Sequence, residues 1–124
     1  MPGKILLADD DKNILKLYTR ILKGGDYSLT TSLSATEAAS LIEANHYDLL
    51  VTDLVFPDGL GTDLIKILNK KRAGAKSLLV TGEADAEEII KDTGITEYFP
   101  KPFDLDRFLA AVTKALPGSL PSAS

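Results

Sequence analysis

The stretch Asp48-Leu49-Leu50-Val51-Thr52-Asp53, continued by Leu54-Val55-Phe56-Pro57-Asp58-Gly59-Leu60-Gly61, decides how the chain is built. An apolar run bounded by acids and followed by a Pro-Asp-Gly turn reads as a buried strand that ends in a loop. Asp53 then stands at the carboxyl end of that strand. Open α/β sheets hold their ligands at this edge, because the loops there carry no packing duty while the strands fix them rigidly. Asp53 is therefore the candidate reactive group.

Upstream, Lys4-Ile5-Leu6-Leu7-Ala8 is a short apolar strand that runs into Asp9-Asp10-Asp11. Ile14, Tyr18, Ile21 and Leu22 recur at helical spacing, and Gly24-Gly25 ends that helix. Residues 27–32 alternate as a half-buried strand should. Ser34-Ala35-Thr36-Glu37 has the form of a capping box, in which Ser34 and Glu37 satisfy each other's backbone N–H groups, and it opens a helix through about Asn45. Downstream, Leu64, Ile67 and Leu68 mark a third helix running to Lys70-Lys71-Arg72, whose charge suits a helix carboxyl end, with Gly74 beyond. Residues 77–81 form the next apolar strand, ended by Gly82. A short fourth helix spans 84 to about 92, with Asp85, Glu87 and Glu88 in its first turns. A fifth strand covers 95–99, and Asp104 caps a fifth helix with Leu105, Phe108, Leu109, Val112 and Leu116 on one stripe.

Five strands alternating with five helices predict an α/β fold, a parallel sheet with helices on both faces. Strands one, three and four are almost wholly apolar and belong at the centre; strands two and five are mixed and belong at the edges. The order 2-1-3-4-5 satisfies both conditions, and Pro100, which has no N–H to donate, suits the edge. Residues 1–116 then form one domain, and 117–124 a Pro/Ser-rich tail or linker remnant, expected to be disordered.

The 124 residues suffice to bury a core without staples. The absence of Cys removes disulfide and thiolate chemistry and suits a reducing cytoplasm. The start is too short and too soon charged for a signal peptide, and no apolar stretch is long enough to span a membrane. A net charge of -4 argues against direct nucleic-acid binding.

In the order 2-1-3-4-5, strands one and three are neighbours, so Asp9, Asp10 and Asp53 converge at the switch point of the sheet. At about 4 Å a pair of carboxylates costs roughly 4 kcal/mol at an effective dielectric of about 20, so the cluster calls for a cation. The ligands are all oxygens, too few for a calcium cage, which fits Mg²⁺. Thr81 at the end of strand four offers a hydroxyl and Lys101 past strand five an ammonium. Metal, carboxylate, hydroxyl and ammonium together can neutralise a phosphoryl group in transfer.

The acidic pair after strand one, Asp53 followed by Pro57 and Gly61, Thr81-Gly82 after strand four and Lys101-Pro102-Phe103 after strand five resemble the receiver domain of bacterial two-component response regulators. The resemblance covers residues 4–116 and implies a flavodoxin-like doubly wound (βα)5 fold. It implies that Asp53 accepts a phosphoryl group from a sensor histidine kinase or phosphotransfer protein. Asp9, Asp10 and Asp53, with the Val55 backbone carbonyl, would hold Mg²⁺. Thr81 and Lys101 would stabilise the phosphoryl oxygens, and Tyr98 would be the aromatic that turns inward when Thr81 moves. The signal would be read on the helix 4/strand 5/helix 5 face by a downstream target or an output domain, a face that also offers a homodimer. The Lys101-Pro102 bond is cis in the family. Val55 and Glu83, two residues after Asp53 and Thr81, would tune the phosphoryl lifetime. The departures are a short segment between Thr81 and Lys101, Asp92-Thr93-Gly94-Ile95-Thr96 ahead of strand five, and Phe56 where Met is common.

Two other readings compete. An aspartyl-phosphate phosphatase would carry a second acid two residues after the nucleophile, where this chain has Val55, and a substrate cap, which it lacks. A receiver-shaped interaction module that is never phosphorylated would fail to bind Mg²⁺. His46, the only histidine, lies near the end of the second helix and reads as surface, and Lys70-Lys71-Arg72 reads as a helix-end charge run. The sequence is equally compatible with a free-standing receiver and with a piece of a longer regulator.

Overall fold

The strand ahead of Asp53 is β3 (Leu49–Thr52), and its residues are all buried. The computed structural model describes residues 3–83, 86–91, 95, 97–101 and 104–116, without the side chains of 89 and 90. Expectations for the tail 117–124, for the Lys101-Pro102 bond, and for residues 84, 85, 92–94 and 96 lie outside them.

In chain order the elements are β1 (Gly3–Ala8), α1 (Lys12–Leu22), β2 (Tyr27–Ser32), α2 (Ala35–Ala44), β3, β4 (Val55–Phe56), β5 (Gly59–Leu60), α3 (Gly61–Lys71), β6 (Lys76–Thr81), α4 (Ala86–Ile90), β7 (Glu97–Pro100) and α5 (Leu105–Ala115). The main sheet is five-stranded, in the order β2-β1-β3-β6-β7, and each neighbouring pair is parallel. Because β4 and β5 form a separate antiparallel ribbon, the expected fourth and fifth strands are β6 and β7, and the order 2-1-3-4-5 holds.

Period-two alternation splits the apolar strands between two cores. Leu6, Ala8, Leu50 and Leu79 point into one, shared with Ala38 and Ile42 of α2 and Leu64, Ile65 and Leu68 of α3. Ile5, Leu7, Leu49, Val51, Leu78 and Val80 point into the other, with Leu15, Tyr18 and Leu22 of α1 and Phe108, Ala111 and Val112 of α5. There Tyr18 stacks on Phe108 with ring centroids 5.1 Å apart, and Phe99 meets Phe108 edge-on at 6.1 Å.

Four local expectations change. In the capping box, Ser34 Oγ accepts from the Glu37 N–H at 3.0 Å, but the Glu37 carboxylate accepts from Leu33 at 3.4 Å, so the reciprocal half reaches one residue too far back. The fifth strand begins at Glu97, not Ile95, and ends on Pro100 opposite Thr81; its edge position leaves the missing N–H without a ladder to break. Leu105 is 40% exposed, because the stripe that faces the sheet starts one turn later, at Phe108. The loop after Asp53 is partly ordered as the β4–β5 ribbon, closed by the Pro57-Asp58 turn.

Candidate phosphoacceptor site

Strand register assembles the site. Ala8 pairs with Thr52, so the next residues, Asp9 and Asp53, come side by side, and the Asp53 N–H donates to the Ala8 carbonyl at 3.1 Å. Thr81 pairs with Pro100, which brings Lys101 to the same edge, where its N–H donates to the Thr81 carbonyl at 2.8 Å. One side-chain ligand oxygen each from Asp9, Asp10 and Asp53 lies within 4.8 Å of the others. Asp9 is buried, Asp53 half-buried and Asp10 exposed. The trio therefore opens to solvent on one side.

Lys101 spans the gap between two of these carboxylates. Its Nζ is 3.3 Å from Asp9 Oδ2 and 3.2 Å from Asp53 Oδ2. The remaining oxygens are held by main chain: Asp9 Oδ1 accepts from the Asp11 N–H at 2.9 Å, and Asp53 Oδ1 from the Leu54 N–H at 2.7 Å. Burial raises the pKa of Asp9 above the usual carboxylate range; the Asp11 N–H and Lys101 pull against it, and Asp53 adds to it. Burial works to lower the pKa of Lys101, but Asp9 and Asp53 outweigh it, and the ammonium is held on more firmly than usual. The same two acids, after burial, raise the pKa of the Tyr18 phenol, which lies beneath the cluster on α1.

Thr81 is buried, and its Oγ accepts from the Glu83 N–H at 3.2 Å, which leaves the hydroxyl proton able to donate elsewhere. Tyr98 is half-buried against the core that contains Leu79 and Ala86. Val55 and Glu83 are both exposed, Val55 on the ribbon and Glu83 just past β6. His46 lies at the opposite end of the sheet, in a cluster in which Asp48 also meets Arg72 and the Lys4 N–H. Lys71 caps α2 through the Ile42 and Glu43 carbonyls. Lys71 and Arg72 thus tie the end of α3 to α2 and to the chain that enters β3.

The structure gives a reason for Gly61, which the sequence offered only as part of a motif, and adds Asp58, which escaped sequence reasoning. Gly61 packs so closely that a Cβ there would stand 1.9 Å from the Asp53 carbonyl oxygen, so the helix start presses directly on the main chain of Asp53. Asp58 reads locally as a turn residue, yet its carboxylate reaches the first N–H groups of α2. A turn followed by a long-range tie leaves no spacing to read; only the unserved N–H groups at Ala35 and Thr36 hinted at it.

A parallel sheet with three acids, a threonine and a lysine gathered at its carboxyl edge defines the receiver class, phosphoacceptor domains that are generally not enzymes themselves. The chain belongs to the family described as the response regulator receiver domain, whose family model matches residues 5–113. It is 32% identical over 122 residues to the DNA-binding transcriptional regulator NtrC of Azospirillum brasilense, covering 97% of this chain and 25% of that regulator. This chain thus spans about a quarter of that relative. A CheY-like response regulator receiver domain from Methanospirillum hungatei superposes with a TM-score of 0.86 at 28% identity, covering 95% of this chain and 96% of that one. The BeF3-activated receiver domain of DrrB gives 0.83 at 29% identity, covering 94% and 99%.

Proposed function

We propose that residues 1–116 are a phosphorylation-activated switch in which Asp53 accepts a phosphoryl group in a metal-dependent step, with 117–124 as a tail or linker. The observation that carries the reading is Lys101 Nζ, 3.2 Å from Asp53 and 3.3 Å from Asp9 within a three-carboxylate cluster. An all-oxygen set with so few protein ligands and an open side suits Mg²⁺, which keeps several waters and pairs carboxylates with phosphate oxygens. Asp9, Asp10, Asp53 and the Val55 carbonyl would hold it. The ion would supply charge neutralisation for the transferring group.

An Asp53 carboxylate oxygen attacks the phosphorus of a phosphohistidine on a sensor histidine kinase or phosphotransfer protein. The P–N bond breaks, its electron pair leaves with the imidazole, and an acyl phosphate forms on Asp53. Lys101, already beside that carboxylate, pairs with the new phosphoryl oxygens, and Thr81 donates its hydroxyl proton to one of them. The phosphoryl group, with a charge of about -1.5 to -2 in place of the carboxylate's single charge and with new acceptor oxygens, biases Thr81 and Tyr98 toward a second arrangement, read on the α4–β7–α5 face by a downstream target, an output domain or a second copy of the chain. Val55 and Glu83 flank the path of attacking water and so tune the lifetime. A histidine-kinase or phosphotransfer partner would meet the domain in the cytoplasm.

The test is intact mass after incubation with acetyl phosphate, for the wild type and Asp53→Asn, with and without Mg²⁺. One phosphoryl addition is expected in the wild type with the metal alone. Equal addition to Asp53→Asn would refute the acceptor, and equal addition in EDTA would refute the metal.

A further inference from the structure

The β4–β5 ribbon has two residues in each strand, and a two-stranded hairpin of any length is marginal without outside support. It carries Val55, the main chain next but one to Asp53. Among the described residues three supports stand out. Phe56 is buried in the α2/α3 core, and the Gly61 N–H donates to the Leu54 carbonyl at 2.7 Å. The third support is Asp58 at the turn, whose Oδ1 accepts from the Ala35 N–H at 3.0 Å and whose Oδ2 accepts from the Thr36 N–H at 2.8 Å.

Those N–H groups open α2 and have no partner within the helix. Ser34 does not serve them, since its Oγ is bound to the Glu37 N–H. Approach of the turn is close, for a Cβ on Gly59 would lie 3.0 Å from Ala35 Cβ. The Thr36 hydroxyl and the two N–H groups hold the exposed carboxyl down to about 2, so it stays ionised on the helix start throughout the working range. The start of α2 is in turn tied to the other side of the site. Asp9 donates its N–H to the Ser32 carbonyl at 3.1 Å, and Ser32 Oγ donates to the Ser34 carbonyl at 2.9 Å. Hydrogen bonds and short stretches of chain therefore run from Asp9 through Ser32, Ser34, the start of α2 and Asp58 to the ribbon and Asp53.

We propose that Asp58 is a positioning residue for the metal site: by latching the ribbon to the start of α2, it fixes the chain that leaves Asp53, and with it the Val55 main chain that would join Asp9 and Asp53 in holding the cation. The inference rests on the metal-dependent acceptor reading above and adds what sets its metal affinity. Partners behind metal ligands typically cost 10–100-fold in affinity when removed, and Asp58 acts through the ribbon, so the lower end, about tenfold, is expected.

The test follows the rate of phosphorylation by acetyl phosphate against Mg²⁺ concentration for the full chain, Asp58→Ala and Asp58→Asn, each well below its own unfolding temperature. For Asp58→Ala the half-maximal Mg²⁺ concentration should rise about tenfold, while the rate at saturating Mg²⁺ returns to within about twofold of the wild type. Asp58→Asn should fall between the two, since an amide oxygen can still accept one N–H. A half-maximal concentration within about twofold of the wild type, even with a lowered unfolding temperature, overturns the proposal and leaves Asp58 as a helix cap. If Asp58→Ala does not fold, Asp58→Asn carries the same two outcomes. A wild type that takes up no phosphoryl group counts against the acceptor reading instead, and direct Mg²⁺ binding by the same variants then decides the latch.

Discussion

Replacing Lys101 by Met removes the ammonium while keeping most of the side-chain volume, and leaves Asp9 and Asp53 facing each other. With ligand oxygens up to 4.8 Å apart, a carboxylate pair repels by roughly 3.5 kcal/mol at an effective dielectric of about 20. Each Lys101 contact, at 3.2 and 3.3 Å, offsets roughly 5 kcal/mol on the same basis, before the cost of partly burying the ammonium. The full loss is not felt, because a carboxyl can escape by taking a proton. At about 1.4 kcal/mol per unit, that escape costs at most about 4.5 kcal/mol at pH 7 from the ordinary value of 3.8, and about 1.7 kcal/mol at pH 5. Lys101→Met is therefore expected to lose about 2 to 4 kcal/mol of metal-free stability at pH 7, and less than half of that at pH 5.

The sign follows from Asp9, already raised by burial, which the substitution raises further. A carboxyl raised in the folded state favours folding at low pH and loses that contribution as pH rises through its folded pKa, so the gap between variant and wild type opens upward. Mg²⁺ should close it by taking over the neutralisation. By linkage, each 1.4 kcal/mol regained means about tenfold tighter Mg²⁺ binding by the variant. Urea unfolding at pH 5 and 7, in EDTA and in Mg²⁺, together with a direct Mg²⁺ titration, reads every part. A gap independent of pH and metal, or weaker Mg²⁺ binding by the variant, would refute the electrostatic role given to Lys101.

Other substitutions test the frame around the site. Gly61→Ala puts a methyl 1.9 Å from the Asp53 carbonyl oxygen, and main chain must give way; about 1–3 kcal/mol of stability should be lost in urea, with slower phosphorylation of what remains folded, and an unchanged protein would contradict the close approach. Phe108→Ala empties a fully buried position stacked on Tyr18 and edged by Phe99, and about 3–5 kcal/mol should be lost by the same measurement; a loss under about 1 kcal/mol would mean that this core is not packed as described.

The parts legible from sequence were those that local pattern controls. The run 49–52, bounded by acids, could only be a buried strand, and the contrast between apolar strands and the mixed strand 27–32 placed the centre and one edge of the sheet. From that order alone, Asp9, Asp53, Thr81 and Lys101 fall at one edge, because residues just past paired positions must be neighbours. What stayed hidden depends on distance rather than pattern. The two-residue strands of the ribbon carry no period, and Asp58 reaching Ala35 is a side-chain tie across separate turns. Leu105 matched the helical stripe by spacing, yet spacing does not say where the sheet ends beneath it. Glu37 satisfied the capping pattern, but which N–H it takes depends on the path of the chain into the helix.

The most direct measurement of the central assignment is the position of the acyl phosphate. Borohydride reduces an aspartyl phosphate to homoserine, so wild-type protein phosphorylated by acetyl phosphate in Mg²⁺, reduced and mapped by peptide mass, records which acid carried the group. Homoserine at position 53 alone is expected. Homoserine at 9 or 10, or at no position despite a mass gain before reduction, would contradict the assignment of Asp53 as the acceptor.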